Sequence, residues 1–424
     1  MSAACSSSAC IGVGDLDMLF YWLGDSMFLL LVRNLSFVFL AFAASAYVNV
    51  VPQLVYARTA PGTKSLWLSA TLLIGTIACV AAVEWARRFG YGTRPKLLGS
   101  LITLALLAIL NASSGITQPW NFAMLCVTLR ALCQYASQET DRRAAALAGV
   151  AARGKNDTIS LSMRFAGMLA GPLFVGQHPE FDRLSAGVYM GLAALALWSV
   201  VAVAKAPVVR ATAISTEPSV DELPLDRSDR LLIWAARLCF ACFAMLTACL
   251  MYVLRDIHGI ADAARRCSLL ITSAFGSAML ATPLLAMLRS RLFTQRTLSD
   301  MLPAPLGIIA AGLLMPLPSA GKTGPSIVGA VVLGIAFADF QLSFRDYASH
   351  QAIERGRKAL LAVFNNLSNT SALVAFGVML VLSVVARLLN ANPAHSFSLG
   401  VAILGLCAFL VAVWARRTYL RAER

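Results

Sequence analysis

About twelve apolar runs, most of them close to twenty residues long, divide this 424-residue chain. A helix needs roughly 20 apolar residues to cross the hydrocarbon core of a bilayer. Backbone groups in hydrocarbon must pair within the protein, and the runs do not alternate apolar and polar residues as the strands of a membrane barrel do. The chain is therefore predicted to be an all-α integral membrane protein with 12 transmembrane helices.

Composition supports this class. Hydrophobic residues make up 58% of the chain and charged residues 13%, whereas a soluble domain is about half apolar and about a quarter charged. The predicted spans, numbered one to twelve in chain order, are Leu35–Tyr56, Ser65–Ala86, Leu97–Ser114, Trp120–Ser137, Thr158–Gln177, Leu184–Ala206, Leu231–Leu254, Ser268–Leu288, Leu302–Leu317, Pro325–Phe344, Ala359–Leu389 and Ser396–Ala415.

The Lys and Arg residues fall mainly on one side of these spans. Of the 35, 24 lie just before span one, in the gaps after even-numbered spans or in the C-terminal tail, and 8 lie in the opposite gaps. Short cytoplasmic loops retain Lys and Arg during insertion, so both termini are predicted to be cytoplasmic. The net charge of +14 is explained by topology and anionic headgroups, and no nucleic-acid partner is expected.

Four regions follow from this pattern. Residues 1–32 are predicted to be an N-terminal cytoplasmic or interfacial segment, or to reflect a translation start placed too early. Residues 33–206 and 231–424 form two six-helix halves, the second with a short basic tail. Residues 207–230, rich in Pro and in charges of both signs, form a flexible cytoplasmic linker.

The two halves show a weak internal repeat. Arg153-Gly154 precedes span five, and Arg355-Gly356 precedes span eleven. With six spans on each side of a central linker and both ends cytoplasmic, residues 33–417 or so resemble the major facilitator superfamily (MFS). The resemblance implies a transporter whose binding site lies between the halves near mid-membrane.

Span five carries the strongest local motif. Gly167, Gly171, Pro172 and Gly176 are similar to the family's antiporter motif, G-x-x-x-G-P-x-x-G-G, with Val175 in place of one glycine. Glycines four residues apart allow close helix approach, and proline removes an amide donor and favours a bend. The resemblance implies a hinge and seal in an exporter. The alternative is an ordinary packing face of small residues.

The end of span two carries a second, degenerate motif. Glu84 and Arg88 occupy the acidic and basic positions of a family loop motif, and Arg87 stands where the family has glycine. The resemblance implies a charge network that holds a cytoplasmic gate. The alternative is a set of topogenic arginines after an acid that reaches toward the headgroups.

Three arginines and one acid lie inside apolar runs, where a charge is costly and usually functional. They are Arg130 in span four, Arg164 in span five, Arg237 in span seven and Asp339 in span ten. The family's first, fourth, seventh and tenth helices line the cavity, so the resemblance places three of these four there. Asp339 is expected to pair with the arginines in the empty protein and to release them to an anionic substrate, or to titrate. The alternative is a structural ion pair.

Uncharged polar residues form a second set of candidates: Asn49 and Gln53 in span one and Asn365, Asn366 and Asn369 in span eleven. Their amide groups both donate and accept hydrogen bonds, which suits a hydroxylated or amide-bearing solute. The alternative role of these side chains is hydrogen bonding between helices.

The sequence thus predicts a secondary active transporter of the inner (plasma) membrane. It is expected to be a monomer that exports a small polar or anionic metabolite, siderophore-like or drug-like, by proton antiport. Its expected partners are a small-molecule substrate, protons and the lipid bilayer, with no metal and no cofactor. The nearest alternative is a solute:proton symporter that imports. A polytopic membrane enzyme fits less well, because no acid cluster and no buried histidine occur in the spans.

Overall fold

The structure, a computed structural model, describes residue 38 and residues 63–88, 150–177, 226–292, 303–315, 324–354 and 358–422. Every regular element in these segments is a helix. Predicted spans three, four and six, the segment 1–32 and most of the predicted linker lie outside the described residues.

Eight α-helices occupy these segments. They match predicted spans two, five and seven to twelve in order, and a π-helical turn, Val253–Ile257, continues the third of them. The helices are α1 (Lys64–Arg88), α2 (Val150–Gln177), α3 (Arg227–Tyr252), α4 (Ala263–Leu292), α5 (Pro303–Leu314), α6 (Gly324–Glu354), α7 (Lys358–Leu388) and α8 (Pro393–Ala422).

Within the described segments, five helical stretches are long and apolar enough to cross a bilayer: Arg227–Ile257, Ala263–Arg289, Gly324–Tyr347, Thr370–Leu388 and Pro393–Leu420. Their outward surfaces are apolar, with Leu280 and Leu284 of α4 65% and 62% exposed, as expected for side chains that contact lipid. The chain is a multi-pass helical membrane protein. The total of twelve spans and the cytoplasmic location of both termini involve residues outside the described segments, and both stay predictions.

Helix α3 begins earlier than the sequence predicts. Asp226 adopts an extended conformation, and its side chain accepts a hydrogen bond from the backbone N–H of Asp229 at 2.8 Å. The hydroxyl of Ser228 donates to the same carboxylate at 2.6 Å. A carboxylate in this position caps the helix and interacts favourably with its dipole. Residues 227–230, assigned to the linker by the sequence, therefore belong to the helix.

Small residues bring the helices close together. An added Cβ at Gly334 of α6 would overlap the backbone carbonyl of Ala274 in α4, and one at Gly307 of α5 would press on Ala336 in α6. The hydroxyl of Ser277 donates to the carbonyl of Val331 at 3.2 Å, across the same α4–α6 contact. Because lipid tails are as apolar as leucine side chains, the hydrophobic effect does not drive helices together in the membrane. Close packing at small residues and interhelical hydrogen bonds stabilise the bundle instead.

Among the described helices, two pairs connect the predicted halves. Helix α1 packs against α7, and α2 packs against α4. Within the N-terminal half, Gly167 of α2 lies directly against the backbone of Val38, and an added Cβ there would overlap the Val38 carbonyl. The first glycine of the span-five motif is therefore at a close backbone contact.

We expect Gly167→Ala to destabilise the protein by about 1–3 kcal/mol, because the methyl group has to displace a backbone carbonyl in a packed interface. Gly377→Ala, also in the middle of a helix, is the matched control, since no described atom lies within 4 Å of its added Cβ. Thermal unfolding of the purified protein in detergent, followed by tryptophan fluorescence, compares the two. Equal melting temperatures would contradict the close contact at Gly167.

Candidate functional site

Phenylalanines from four helices form a buried cluster in the bundle. The rings of Phe243 in α3 and Phe337 in α6 stack in parallel, with centroids 4.1 Å apart and planes at 6°. Phe240 approaches Phe337 edge-on at 4.9 Å and Phe340 at 6.0 Å. We call this set the aromatic cluster; its members are Phe165, Phe240, Phe243, Phe275, Phe337 and Phe340.

The aromatic cluster crosses the boundary between the predicted halves. Phe165 belongs to α2, and its ring lies edge-on to Phe337 of α6 at 6.1 Å. Both side chains are fully buried. This contact could not be predicted from the sequence, because phenylalanines in apolar runs are ordinary core residues and the distances between them depend on how the helices pack.

Arg237 lies on α3, three residues before Phe240. Its guanidinium carbon is 5.0 Å from the centroid of the Trp234 ring. Its Nε is buried and has no hydrogen-bond partner among the described residues. A cation–π contact is worth about 0.5–2 kcal/mol, whereas an arginine at the centre of a membrane helix costs about 2.5–3.5 kcal/mol or more. Trp234 therefore offsets only part of the cost of holding this charge.

Gln341 of α6 lies at the same depth as Arg237. The two helices run antiparallel, with Phe240 opposite Phe340 and Asp229 opposite Tyr347. Position 237 then lies at about the depth of position 341, but its side chain leaves α3 about 120° from that of Phe243, which stacks on α6. Gln341 is 1% exposed, and its Oε1 lacks a hydrogen-bond donor within the described part of the chain. A buried guanidinium Nε on a partly buried arginine and a buried amide acceptor thus lie at a similar depth in the bundle.

Asp339 forms an ion pair with Arg289 of α4. The Nη2 and Nε of Arg289 lie 2.6 Å and 3.1 Å from the same carboxylate oxygen, and both side chains are 16% exposed. The sequence placed Arg289 in the loop after span eight, but α4 continues to Leu292. Asp339 follows Phe337 by two residues, so the two side chains leave α6 about 160° apart. This acid therefore points away from Phe337.

A second buried carboxylate, Asp229, was missed by the sequence analysis. Its side chain is fully buried in the first turn of α3 and accepts a hydrogen bond from the Tyr347 hydroxyl of α6 at 3.2 Å. The sequence analysis assigned it to the linker. The available signal was the pair Asp226 and Asp229, three residues apart just before an apolar run, which is typical of a helix start.

Two hydrogen-bonded contacts join the predicted halves at one end of the bundle. The hydroxyls of Ser69 in α1 and Ser383 in α7 lie 3.2 Å apart. The hydroxyl of Ser268 in α4 donates to the carbonyl of Pro172 in α2. Both contacts lie near the start of one helix and the end of its antiparallel partner, at the end predicted to face outward. We call these two contacts the outer contacts.

The span-five motif lies at interhelical contacts. Gly167 and Gly171 are buried, and so is Pro172, which stands inside α2. Gly167 contacts Val38, and the Pro172 carbonyl receives the bond from α4. The motif thus packs on one side within its own half and on the other against the opposite half.

The remaining candidates are only partly described. Arg164 is a partly buried residue of α2, next to Phe165, and it takes part in at least one interaction. Asn49, Gln53 and Arg130 lie outside the described residues. The structure describes the backbone alone for Glu84 and Arg88 at the end of α1, Gly176 in α2, and Asn365, Asn366 and Asn369 in α7.

One neighbour of these asparagines is well placed for polar contacts. Ser371 of α7 is fully buried, and its hydroxyl has no partner among the described residues. Thr370 donates to the carbonyl of Leu367 in its own helix at 3.2 Å. As for metals, the described residues contain no group of three His, Cys, Asp or Glu that could hold an ion.

We expect Arg289→Gln and Asp339→Asn each to destabilise the protein by about 1–3 kcal/mol, because each leaves its partner partly buried without an opposite charge. The charge-swapped double variant Arg289→Asp/Asp339→Arg should recover part of that loss. Arg387→Gln, which removes an exposed arginine from the end of α7, is the control. Melting temperatures measure the effect, and additive losses in the swapped protein would rule out the pair.

No protein-family model matches the sequence, and no curated protein sequence is similar enough to count as a relative. The fold does have counterparts among solved structures. The chain aligns with the nucleoside transporter NupG at 12% identity and a TM-score of 0.60, over 92% of this chain and 99% of NupG.

Two further matches show the same fold. The human organic anion transporter MFSD10 aligns at 15% identity and a TM-score of 0.62, over 91% of this chain and 99% of its own. A bacterial homologue of the iron transporter ferroportin, in an outward-facing state, aligns at 15% identity and a TM-score of 0.59, over 92% and 99%. The helical fold expected from the sequence resemblance is therefore confirmed: the chain shares its fold with these transporters.

Proposed function

We propose that this protein is a secondary active transporter that carries a small anionic metabolite through a site between its two halves. One observation carries the proposal. Arg237, on a membrane-spanning helix, keeps its Nε buried without an acceptor among the described residues, beside an aromatic cluster shared by both halves. A charge held in this way is costly, and an anionic substrate would supply the missing partner.

The charge balance supports an anionic rather than a cationic substrate. Asp339, the acid that the sequence paired with the cavity arginines, is bound to Arg289. Arg237 stacks on Trp234. The positive charge beside the aromatic cluster is thus not neutralised by Asp339, and a cation entering there would meet repulsion.

Alternating access is supported by the kind of contacts between the halves. The outer contacts are hydrogen bonds of hydroxyl groups, and the aromatic cluster meets α2 through the ring of Phe165. A neutral hydrogen bond contributes about 0.5–1.5 kcal/mol. Contacts of this strength can break and reform when the halves rock, as a transport cycle requires.

Export by proton antiport is the direction that we propose. It is supported by the span-five motif, whose Gly167 and Pro172 lie at close contacts on either side of α2. We assign proton coupling to Asp339: protonation of its carboxylate would weaken its hold on Arg289 and loosen α4 from α6.

The proposal also covers location and topology. The protein is a monomer of the inner (plasma) membrane with both termini in the cytoplasm, and Glu84 and Arg88 belong to its cytoplasmic gate. Arg130, Arg164 and the asparagine candidates remain proposed contributors to the cavity.

We expect proton-driven accumulation of organic anions in inverted membrane vesicles when the vesicle interior is acidic. The measurement uses a panel of radiolabelled mono- and dicarboxylates, with neutral amides of the same shapes as controls. Arg237→Gln should lower accumulation about tenfold or more, as loss of a charge-assisted hydrogen bond in a binding site does, while Arg387→Gln should not. Uptake into right-side-out vesicles alone would establish the importing symporter instead.

We expect that Ser69→Cys/Ser383→Cys can be oxidised to a disulfide that joins the halves and stops transport reversibly. A protease site in the predicted linker 207–230 makes the bond visible, because the cleaved halves separate on a gel only after reduction. Ser69→Cys/Ser371→Cys is the control pair, since Ser371 lies twelve residues, or about 18 Å, farther along α7. Undiminished transport by the oxidised protein would contradict alternation at this end.

A further inference from the structure

We propose that an anionic phospholipid binds at the end of the bundle that is predicted to be cytoplasmic. Its phosphate would contact Arg227 of α3 and Arg417 of α8, and one acyl chain would follow the lipid-facing side of α8. The lipid is a structural ligand and not the transported solute, so this site is separate from the proposed transport site.

The headgroup part of the site is held by two helices. Arg227, the first residue of α3, places its guanidinium carbon 5.2 Å from the centroid of the Trp414 ring in α8. Helices α3 and α8 pack against each other, which fixes these two residues relative to one another. Arg417 follows Trp414 by three residues, so the two side chains leave α8 on one side, about 60° apart. One arginine from each helix therefore lies next to the same tryptophan.

The charge at this place is positive. Arg227 and Arg417 are exposed, and neither forms an ion pair with another residue in the described segments. The acid that precedes α3, Asp226, caps that helix and accepts hydrogen bonds from the Ser228 hydroxyl and the Asp229 N–H. Guanidinium groups match the oxygens of a phosphate, and basic groups at the cytoplasmic ends of helices attract anionic lipids. A net negative headgroup fits better than a zwitterionic one, because the same arginines repel its ammonium group.

The acyl-chain part of the site is a stripe of exposed side chains on α8. Ile403, Leu406 and Leu410 are 51%, 54% and 56% exposed, and their spacing of three and four residues places them on one face. The stripe continues to Trp414, 49% exposed, and ends at the exposed Arg417. Tryptophan is enriched at the headgroup level of a bilayer. The order apolar, aromatic, cationic along α8 therefore matches the order from chain to phosphate along one phospholipid.

A neighbouring arginine distinguishes this site from the general positive charge of the same helix end. Arg416 is exposed and lies on α8 at nearly the same depth. Its side chain leaves the helix about 160° from that of Trp414, away from the tryptophan and the apolar stripe. Arg416 thus carries the same charge without the rest of the site, and it provides the matched control.

The test measures the phospholipid retained by the full chain in detergent, by native mass spectrometry. The probes are dioleoylphosphatidylglycerol and dioleoylphosphatidylcholine in equal amounts, which share their acyl chains and differ in net charge. We expect one molecule of phosphatidylglycerol to be retained in preference to phosphatidylcholine. Each basic residue near an anionic surface favours binding about fivefold. Arg227→Gln/Arg417→Gln should therefore lower the retained phosphatidylglycerol about tenfold or more, and Arg416→Gln should leave it unchanged.

Two single variants test the parts of the site. Arg417→Gln should lower phosphatidylglycerol retention about fivefold, and Trp414→Leu about two- to fivefold, as the loss of an exposed cation–π contact does. The melting temperature of Arg417→Gln without added lipid should equal that of the unaltered protein, because Arg417 has no ion-pair partner in the described segments. A purely structural role of Arg417 would lower this melting temperature as well.

Three results would overturn the proposal. The first is equal retention of the two lipids, or equal loss of phosphatidylglycerol in Arg416→Gln and in the double variant. The second is displacement of the lipid by an equal concentration of sn-glycerol 3-phosphate, which would indicate a site for free phosphate esters. The third is retention of phosphatidylglycerol only after Asp221→Asn/Glu222→Gln, which would show that the acidic linker covers these arginines.

Discussion

The pairing of backbone amides inside each helix is the constraint on which the rest of this structure depends. In hydrocarbon an unpaired backbone group costs several kcal/mol, so the segments are helices and behave as rods. Helices in lipid gain little free energy from apolar contact alone, and they associate where small residues allow their backbones to approach closely. Gly167 against Val38 and Gly334 against Ala274 are such places. Glycine positions, where no side chain separates two helices, therefore determine the helix packing as much as the large apolar side chains do.

The same constraint separates two kinds of charge in the bundle. Arg289 and Asp339 form an ion pair between α4 and α6. Each charge is neutralised by the other, and the pair stabilises the packing of the C-terminal half. Arg237 lies against the face of Trp234, and its buried Nε has no hydrogen-bond partner within the described part of the chain. The proposed function assigns that missing partner to a bound solute.

The sequence predicted the described helices well because long apolar runs carry a strong and local signal. Spans seven to twelve match α3 to α8 to within a few residues at most ends. Its errors lie where the signal is not local. Arg289 looked like a loop residue because its partner is fifty positions away, and Asp229 looked like linker because its tyrosine partner comes from α6. The contact between Phe165 and Phe337 depends on how α2 packs near α6. The sequence of neither helix alone contains that information.

The hydroxyl groups of the outer contacts have an energetic consequence. Each contributes about 1 kcal/mol, roughly a fivefold change in an equilibrium constant. These bonds therefore contribute little to joining the halves compared with the packing of α1 on α7 and of α2 on α4. Losing one of them would change the balance between joined and separated halves only about fivefold, which is within reach of a solute with a modest preference for one arrangement.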